Sequence, residues 1–166
     1  MRYMQHLISH DKALQLMLAG KATFTIKNSD TGNRFTYKIE RKRTKSIADQ
    51  SNPLNALRFI KVLTGSNNET DYTYFAFIRI LNAIDFDGNQ GFEYKFASKQ
   101  HNINQAAQSV RAFEWTVKCL RANVLPSFIE IWHEGKCMKC GRKLTDPASI
   151  EAGVGPECQR MVSKKR

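Results

Sequence analysis

The chain has 166 residues, with 26 Lys and Arg residues against 15 Asp and Glu residues, and hence a formal net charge of +11. A hydrophobic fraction of 42% can fill a folded core, which excludes an intrinsically disordered chain. No run approaches the roughly 18 apolar residues of a membrane span, and the N-terminal segment is too polar for a signal peptide. We therefore expect a cytoplasmic protein that needs no membrane, has no small-molecule substrate and is attracted to polyanions, nucleic acid first among them.

The first third of the chain predicts one short helix and one hairpin. From Ser9 to Gly20 the apolar residues recur at helical spacing, and the terminal glycine can end a helix. Residues 22–27 and 34–40 alternate apolar and polar side chains around the turn-forming run NSDTGN, which predicts a β-hairpin. Residues 41–56 carry a dense basic cluster and then a Ser-Asn-Pro break, so we expect a basic loop there.

The middle of the chain predicts more strands and the longest helix. Residues 58–65 and 71–81 flank a polar turn and form a second predicted hairpin, and the aromatic residues within 91–98 share one face of a further strand. Apolar residues recur at three- and four-residue intervals from Asn102 to about Asn123, which predicts an amphipathic helix. Residues 125–132 look like a last short strand, so the pattern indicates an α+β fold whose mainly antiparallel sheet has five or six strands and which has two main helices.

The C-terminal end carries a candidate zinc site. Its candidate ligands are His133, Cys137, Cys140 and Cys158, with the spacing H-x3-C-x2-C-x17-C. Two cysteines separated by two residues can bind one tetrahedral ion through a tight turn, and Gly141 permits the backbone conformation of that turn. Three thiolates and one imidazole form a closed Zn²⁺ site without an open position for water. We therefore expect one structural zinc ion and no catalytic activity.

The arrangement around the cysteines is similar to a treble clef, in which a knuckle is followed by a loop and a ligand-bearing helix. Proline favours the first position of a helix, so a final helix is predicted to start at Pro156 and to hold Cys158 in its first turn. A treble clef usually takes two ligands from this helix, whereas only one cysteine is present here. Cys119 lies inside the long predicted helix and is interpreted as a small buried residue. We expect an α+β domain over residues 1–125 and a treble-clef-like zinc-finger region over 126–166, packed on it or appended to it.

The cysteine-rich run CMKCGRKLTDPASIEAGVGPEC resembles the C-terminal zinc finger of a family of short phage and plasmid proteins. The upstream phrases AGKATFTIKNSDTGNRFTYKI and KVLTG are similar to the N-terminal part of the same proteins. The resemblance implies an origin in a mobile element and zinc binding by Cys137, Cys140 and Cys158. His133 matches the histidine that often precedes the finger. The resemblance supplies no established activity.

Two groups of cations are candidate nucleic-acid contacts. The first surrounds the cysteine pair and consists of Lys136, Lys139, Arg142 and Lys143. The second is the basic loop, with Arg41, Lys42, Arg43 and Lys45. Lysine and arginine side chains at such positions can bind phosphate oxygens without reading sequence. The alternatives are that the first group compensates the negative thiolates and that the second is a solvated hairpin end.

Other side chains leave alternatives open. Aromatic residues interleave with Arg79 and Lys95 and could either stack nucleobases or fill the core of the sheet; these are Tyr72, Tyr74, Phe92, Tyr94 and Phe96. The core is the preferred interpretation, and the tyrosines are the better candidates for a binding face. Asp85, Asp87 and Glu93 could hold Mg²⁺ for nuclease chemistry, although the first two also suit an ordinary turn.

Taken together, the sequence predicts a non-catalytic, zinc-containing nucleic-acid-binding protein of a phage or mobile element. The alternative is a phage-encoded inhibitor or adaptor that binds a host protein, such as an anti-phage or CRISPR-type defence nuclease. Both hypotheses use the basic surface, so charge alone does not separate them.

Overall fold

The structure is a computed structural model that describes residues 6–8, 10–41, 56–67, 69–84, 90–97, 103–133, 136–142, 149 and 152–163. The strands are β1 (His6–Leu7), β2 (Ala22–Asn28), β3 (Arg34–Arg41), β4 (Leu57–Leu63), β5 (Tyr72–Ile84), β6 (Gln90–Phe96) and β7 (Ile129–His133). The helices are α1 (His10–Leu18), α2 (Gln108–Arg121) and α3 (Pro156–Ser163). None of these helices combines the length and apolar character that crossing a membrane would require.

The strands form one antiparallel sheet in the order β1-β7-β2-β3-β4-β5-β6. This confirms the α+β class and the antiparallel sheet. The described sheet has one strand more than expected, because β1 is only two residues long and too short to show an alternating pattern. β7 follows residue 125 in the chain and yet lies inside this sheet, between β1 and β2. The division of the chain into domains at that residue stays a prediction.

The first hairpin forms where the alternating pattern predicts it. The side-chain oxygen of Asn28 accepts hydrogen bonds from the backbone N–H groups of Asp30 and Thr31, at 2.9 and 3.1 Å. Gly32 adopts a φ of +76°, which a residue with a Cβ rarely adopts. These turn residues therefore bring β2 and β3 into register, with Phe24 opposite Tyr37.

Helix α2 begins later than the periodicity indicates. The predicted start at Asn102 is wrong, because Asn104 instead forms a turn in which its side chain accepts a hydrogen bond from the N–H of Ala106 at 2.8 Å. The predicted end is confirmed: Asn123 has a φ of 56°, and the N–H of Val124 donates to the carbonyl of Cys119 at 3.0 Å. This pair of features is a Schellman motif, which satisfies carbonyl groups at the end of the helix.

The core lies between the sheet and the two helices α1 and α2. Phe113 of α2 is fully buried, with ring centroids 5.1 Å from Tyr37, 5.7 Å from Phe75 and 6.0 Å from Tyr94. The hydroxyl of Tyr37 donates to the carbonyl of Ser109 at 2.6 Å, which fastens β3 to the first turn of α2. The aromatic residues of β6 thus belong to the core, which the sequence analysis preferred over a face that stacks nucleobases.

Candidate metal centre

The chain turns back sharply after β7, over residues 136–142, which we name the knuckle. The N–H of Cys137 donates to the carbonyl of Arg142 at 2.8 Å, and the N–H of Gly141 donates to the carbonyl of Cys137 at 2.8 Å. Gly141 has a φ of +78°, as its place after the cysteine pair predicts. The turn therefore places Cys137 and Cys140 on the same side of a tight loop.

Three cysteine side chains meet at this turn. The sulfur atoms of Cys137, Cys140 and Cys158 all lie within 4.8 Å of one another. Helix α3 starts at Pro156, as predicted, and so supplies Cys158 from its first turn. Tetrahedral zinc with Zn–S bonds of about 2.3 Å separates its sulfur ligands by roughly 3.8 Å, so the cluster is compatible with a metal ion bound between the three thiolates.

Burial, hydrogen bonding and charge shift the pKa values of Cys137 and Cys158 in opposite directions. Burial disfavours the Cys137 thiolate, but backbone N–H groups of Gly155, Cys140 and Lys139 bond to its sulfur and hold its pKa below the usual value. For Cys158, burial acts first, and the hydrogen bonds and negative charge of the sulfurs of Cys140 and Cys137 then raise the pKa to about 12. Burial and the neighbouring sulfurs thus disfavour the Cys158 thiolate when no cation is present. A soft metal ion would supply the positive charge that three thiolates need.

His133 is not a member of the described group of three cysteines, so its role as the fourth ligand stays a prediction. Its side chain is fully buried and lies on the same face of β7 as Ile129 and Ile131. Strand alternation directs it into the core, and its Cδ2 atom would lie 3.9 Å from a Cβ built on Gly153. The residues that the structure describes thus bring together three candidate protein ligands.

The knuckle packs closely against the turn between α1 and β2. A Cβ built on Gly20 would lie 2.2 Å from the carbonyl oxygen of Lys139, so only glycine fits. The N–H of Lys21 donates to that same carbonyl at 3.1 Å. On the other side, the N–H of Met138 donates to the carbonyl of Gly153 at 2.9 Å. Sequence reasoning placed Gly20 at the end of a helix but missed its contact with the knuckle, as it missed Lys21, because nothing local marks a contact with residues far along the chain.

This contact predicts a large effect of Gly20→Ala. The new methyl group would meet the backbone oxygen of Lys139, and we expect a loss of about 1–3 kcal/mol in the free energy of unfolding, together with weaker metal retention. Urea denaturation and metal analysis measure both. Gly32→Ala is the control: its φ is unfavourable, which costs about 1 kcal/mol, but no atom lies within 4 Å of the new methyl group. Equal metal retention in the two variants would contradict the proposed contact.

The structure shows part of each predicted cation group. Lys136 and Arg142 are exposed on the knuckle and Lys139 is half-buried there, while Lys143 lies outside the described residues. Lys21 is a further exposed cation at this place, with its side chain 3.2 Å from a Cβ built on Gly141. In the basic loop, Arg41 is exposed at the end of β3. Lys42, Arg43 and Lys45 lie outside the described residues.

Of the remaining candidates, Cys119 and Glu93 are described, and both lie outside the cluster. Cys119 is half-buried in α2 and is not a member of the described metal-binding group, in keeping with its interpretation as a structural residue. Glu93 is exposed on β6 with a carboxylate oxygen 3.9 Å from Arg79. Asp85 and Asp87 lie outside the described residues.

Comparison with known proteins adds one match. The model of a family of unknown function, DUF6011, matches residues 132–163. No curated protein matches the chain, and no solved structure does. The matched segment starts within β7 and includes the knuckle and α3, so all three clustered cysteines lie inside it.

Proposed function

We propose that the three cysteines hold one structural Zn²⁺ ion and that the protein binds nucleic acid without catalysing a reaction, in a phage or another mobile element. The observation that carries the proposal is the convergence of Cys137, Cys140 and Cys158 within 4.8 Å, beside exposed cations. Zinc suits a set of thiolate ligands, and a structural site would hold the knuckle and α3 together. The mobile-element origin is supported by the resemblance of the cysteine-rich run alone.

The fourth ligand of such a zinc ion is left to experiment. X-ray absorption at the zinc edge counts the sulfur and the nitrogen or oxygen neighbours of the metal directly. We expect three sulfur atoms and one lighter atom, since Cys119 is not in the cluster. Comparing His133→Gln with the wild type shows whether the lighter atom is an imidazole nitrogen. Four sulfur neighbours would contradict the ligand set.

The nucleic-acid contacts are proposed on the basis of the charge around the knuckle. Lys21, Lys136 and Arg142 are exposed there and Lys139 is half-buried. A Zn²⁺ ion bound by three thiolates carries a formal charge of minus one, which a single cation neutralises. The four cations around the knuckle therefore leave an excess of positive charge. The excess charge is available to phosphate oxygens. The net charge of +11 acts in the same direction over a longer range.

A charge-reversal variant tests this proposal. The double variant Lys139→Glu/Arg142→Glu should weaken binding to all sequences and lower the slope of log Kobs against log salt by about two, since each cation that binds a phosphate adds about one to that slope. Fluorescence anisotropy with labelled single-stranded and duplex oligonucleotides at several salt concentrations measures both quantities. Lys12→Glu/Lys118→Glu is the matched control, because it changes the charge equally at exposed positions of α1 and α2.

The outcome separates the two hypotheses. If the two double variants bind equally well, the knuckle makes no phosphate contacts and that part of the proposal is wrong. If the zinc-loaded wild type binds no nucleic acid at any salt concentration, the nucleic-acid function itself is refuted. The alternative, an inhibitor or adaptor for a host protein, would then be the hypothesis to pursue by affinity capture.

A further inference from the structure

The face of the sheet turned away from α1 and α2 carries aromatic and basic side chains, and we name it the open face. Its residues alternate with the buried core residues of the central strands. Register places Glu40 opposite Phe59, Phe59 opposite Phe77, and Lys61 opposite Tyr74. The members that matter here are Lys38, Glu40, Phe59, Lys61, Tyr74 and Phe77. This composition differs from that of β6, whose aromatic residues face α2.

A groove lies on the open face at the end of β3. Its volume is about 400 Å³, and it is lined by Glu40, Arg41, Phe59, Lys61 and Tyr74. The rings of Phe59 and Tyr74 are tilted by 57° with centroids 5.9 Å apart. The groove is shallow and open to solvent, and its two half-buried rings offer an apolar surface to one planar group.

Positive side chains on the open face beside the groove repel each other in the folded protein. Lys38 lies directly opposite Lys61 on this face. Like charges at directly opposed positions destabilise a sheet. The carboxylate of Glu40 offsets part of this repulsion, at 3.0 Å from Lys61 and 3.9 Å from Lys38. An anion bound beside Lys38 and Lys61 would relieve the remaining repulsion.

We propose that this groove binds one nucleotide of a single-stranded nucleic acid, with its base against Phe59 and Tyr74 and its phosphate at Lys61. The inference rests on the proposed nucleic-acid function and names its substrate class. Bases of a duplex are already stacked and paired, so a groove that binds through ring stacking selects unpaired strands. Arg41 is the described residue that links this groove to the basic loop predicted from the sequence.

Variants that remove the rings while keeping β-forming apolar side chains test the proposal. Phe59→Ile and Tyr74→Val should each raise the Kd for a single strand of about 12 nucleotides by about 5- to 100-fold, which is the effect of losing one stacked base. The Kd for the duplex of the same sequence should change by less than about twofold. Trp115→Leu is the control, since Trp115 is an exposed aromatic residue on α2. Circular dichroism and zinc content confirm that each variant is folded.

Ultraviolet crosslinking of the wild-type protein to the same strands, followed by peptide mapping, needs no variant. Crosslinks at Phe59 or Tyr74 support the proposal. If single strands bind, crosslink elsewhere and are unaffected by both ring variants, the groove is not the site, and the proposed nucleic-acid function survives through the knuckle. If the wild type binds neither single strands nor duplex, this inference and the proposed function are both refuted.

Discussion

The Cys137→Ser variant is expected to lose about one equivalent of zinc per chain and to unfold locally at the knuckle and α3. A serine hydroxyl is a poor ligand for zinc at neutral pH, whereas each thiolate contributes strongly to binding. In zinc-finger peptides the apparent free energy of zinc binding is about 10–16 kcal/mol, and most of it is folding free energy. Native mass spectrometry gives the metal content, and hydrogen exchange of residues 136–142 and 156–163 gives the local stability.

Cys119→Ser is the matched control for this experiment. Cys119 is half-buried in α2 and lies outside the cluster, so this variant should keep its zinc and lose no more than about 1 kcal/mol. Cys158→Ser should behave like Cys137→Ser, because both sulfurs belong to one cluster. A wild-type protein that is fully folded and free of metal would refute the zinc hypothesis. Equal zinc contents in Cys137→Ser and Cys119→Ser would refute the assignment of the ligands.

The Phe113→Ala variant should lose about 3–5 kcal/mol of the free energy of unfolding. The ring of Phe113 is fully buried and contacts three other aromatic rings of the core, so its removal leaves a large cavity between α2 and the sheet. Small domains are stable by about 5–15 kcal/mol in total, so this single change removes a substantial share. Urea denaturation followed by circular dichroism measures the loss.

Trp115→Ala on the same helix provides the comparison. Trp115 is 43% exposed, so truncating it should cost no more than about 1 kcal/mol even though the side chain removed is larger. The contrast tests which face of α2 is packed on the sheet. If the two variants lost equal stability, the orientation of the helix would be wrong. Zinc content should be unchanged in both, because neither residue is in the cluster.

Local patterns were sufficient to predict most helices and strands. Alternation located both hairpins, three- and four-residue spacing located α2, and Pro156 marked the start of α3. The start of α2 was missed because the helical spacing of apolar residues continues into a turn stabilised by Asn104. The two-residue strand β1 shows no period at all. Its existence depends on pairing with β7, which is more than a hundred residues away in the chain.

The candidate site was predictable in its cysteines but not in its surroundings. A Cys-x-x-Cys pair followed by glycine is a local signal, and the start of α3 identified Cys158. The run IEIWH indicates that His133 is buried, because alternation puts that histidine on the same face as the two isoleucines, and its role as a ligand stays a prediction. The close approach of Gly20 to Lys139 and the pairing of Phe59 with Glu40 arise from tertiary folding. No local sequence pattern records them.

The position of β7 has a consequence for how the protein is made. β2 pairs on one side with β3, which follows it closely, but on the other side with β7, about 100 residues later. Ribosomes add about 5–20 residues per second, so β7 is synthesised roughly 5–20 s after β2, and that edge of β2 is unpaired in the interval. The sheet is therefore completed only after β7 has been synthesised. Until then, the exposed edge of β2 is open to pairing with other nascent chains or to capture by a chaperone.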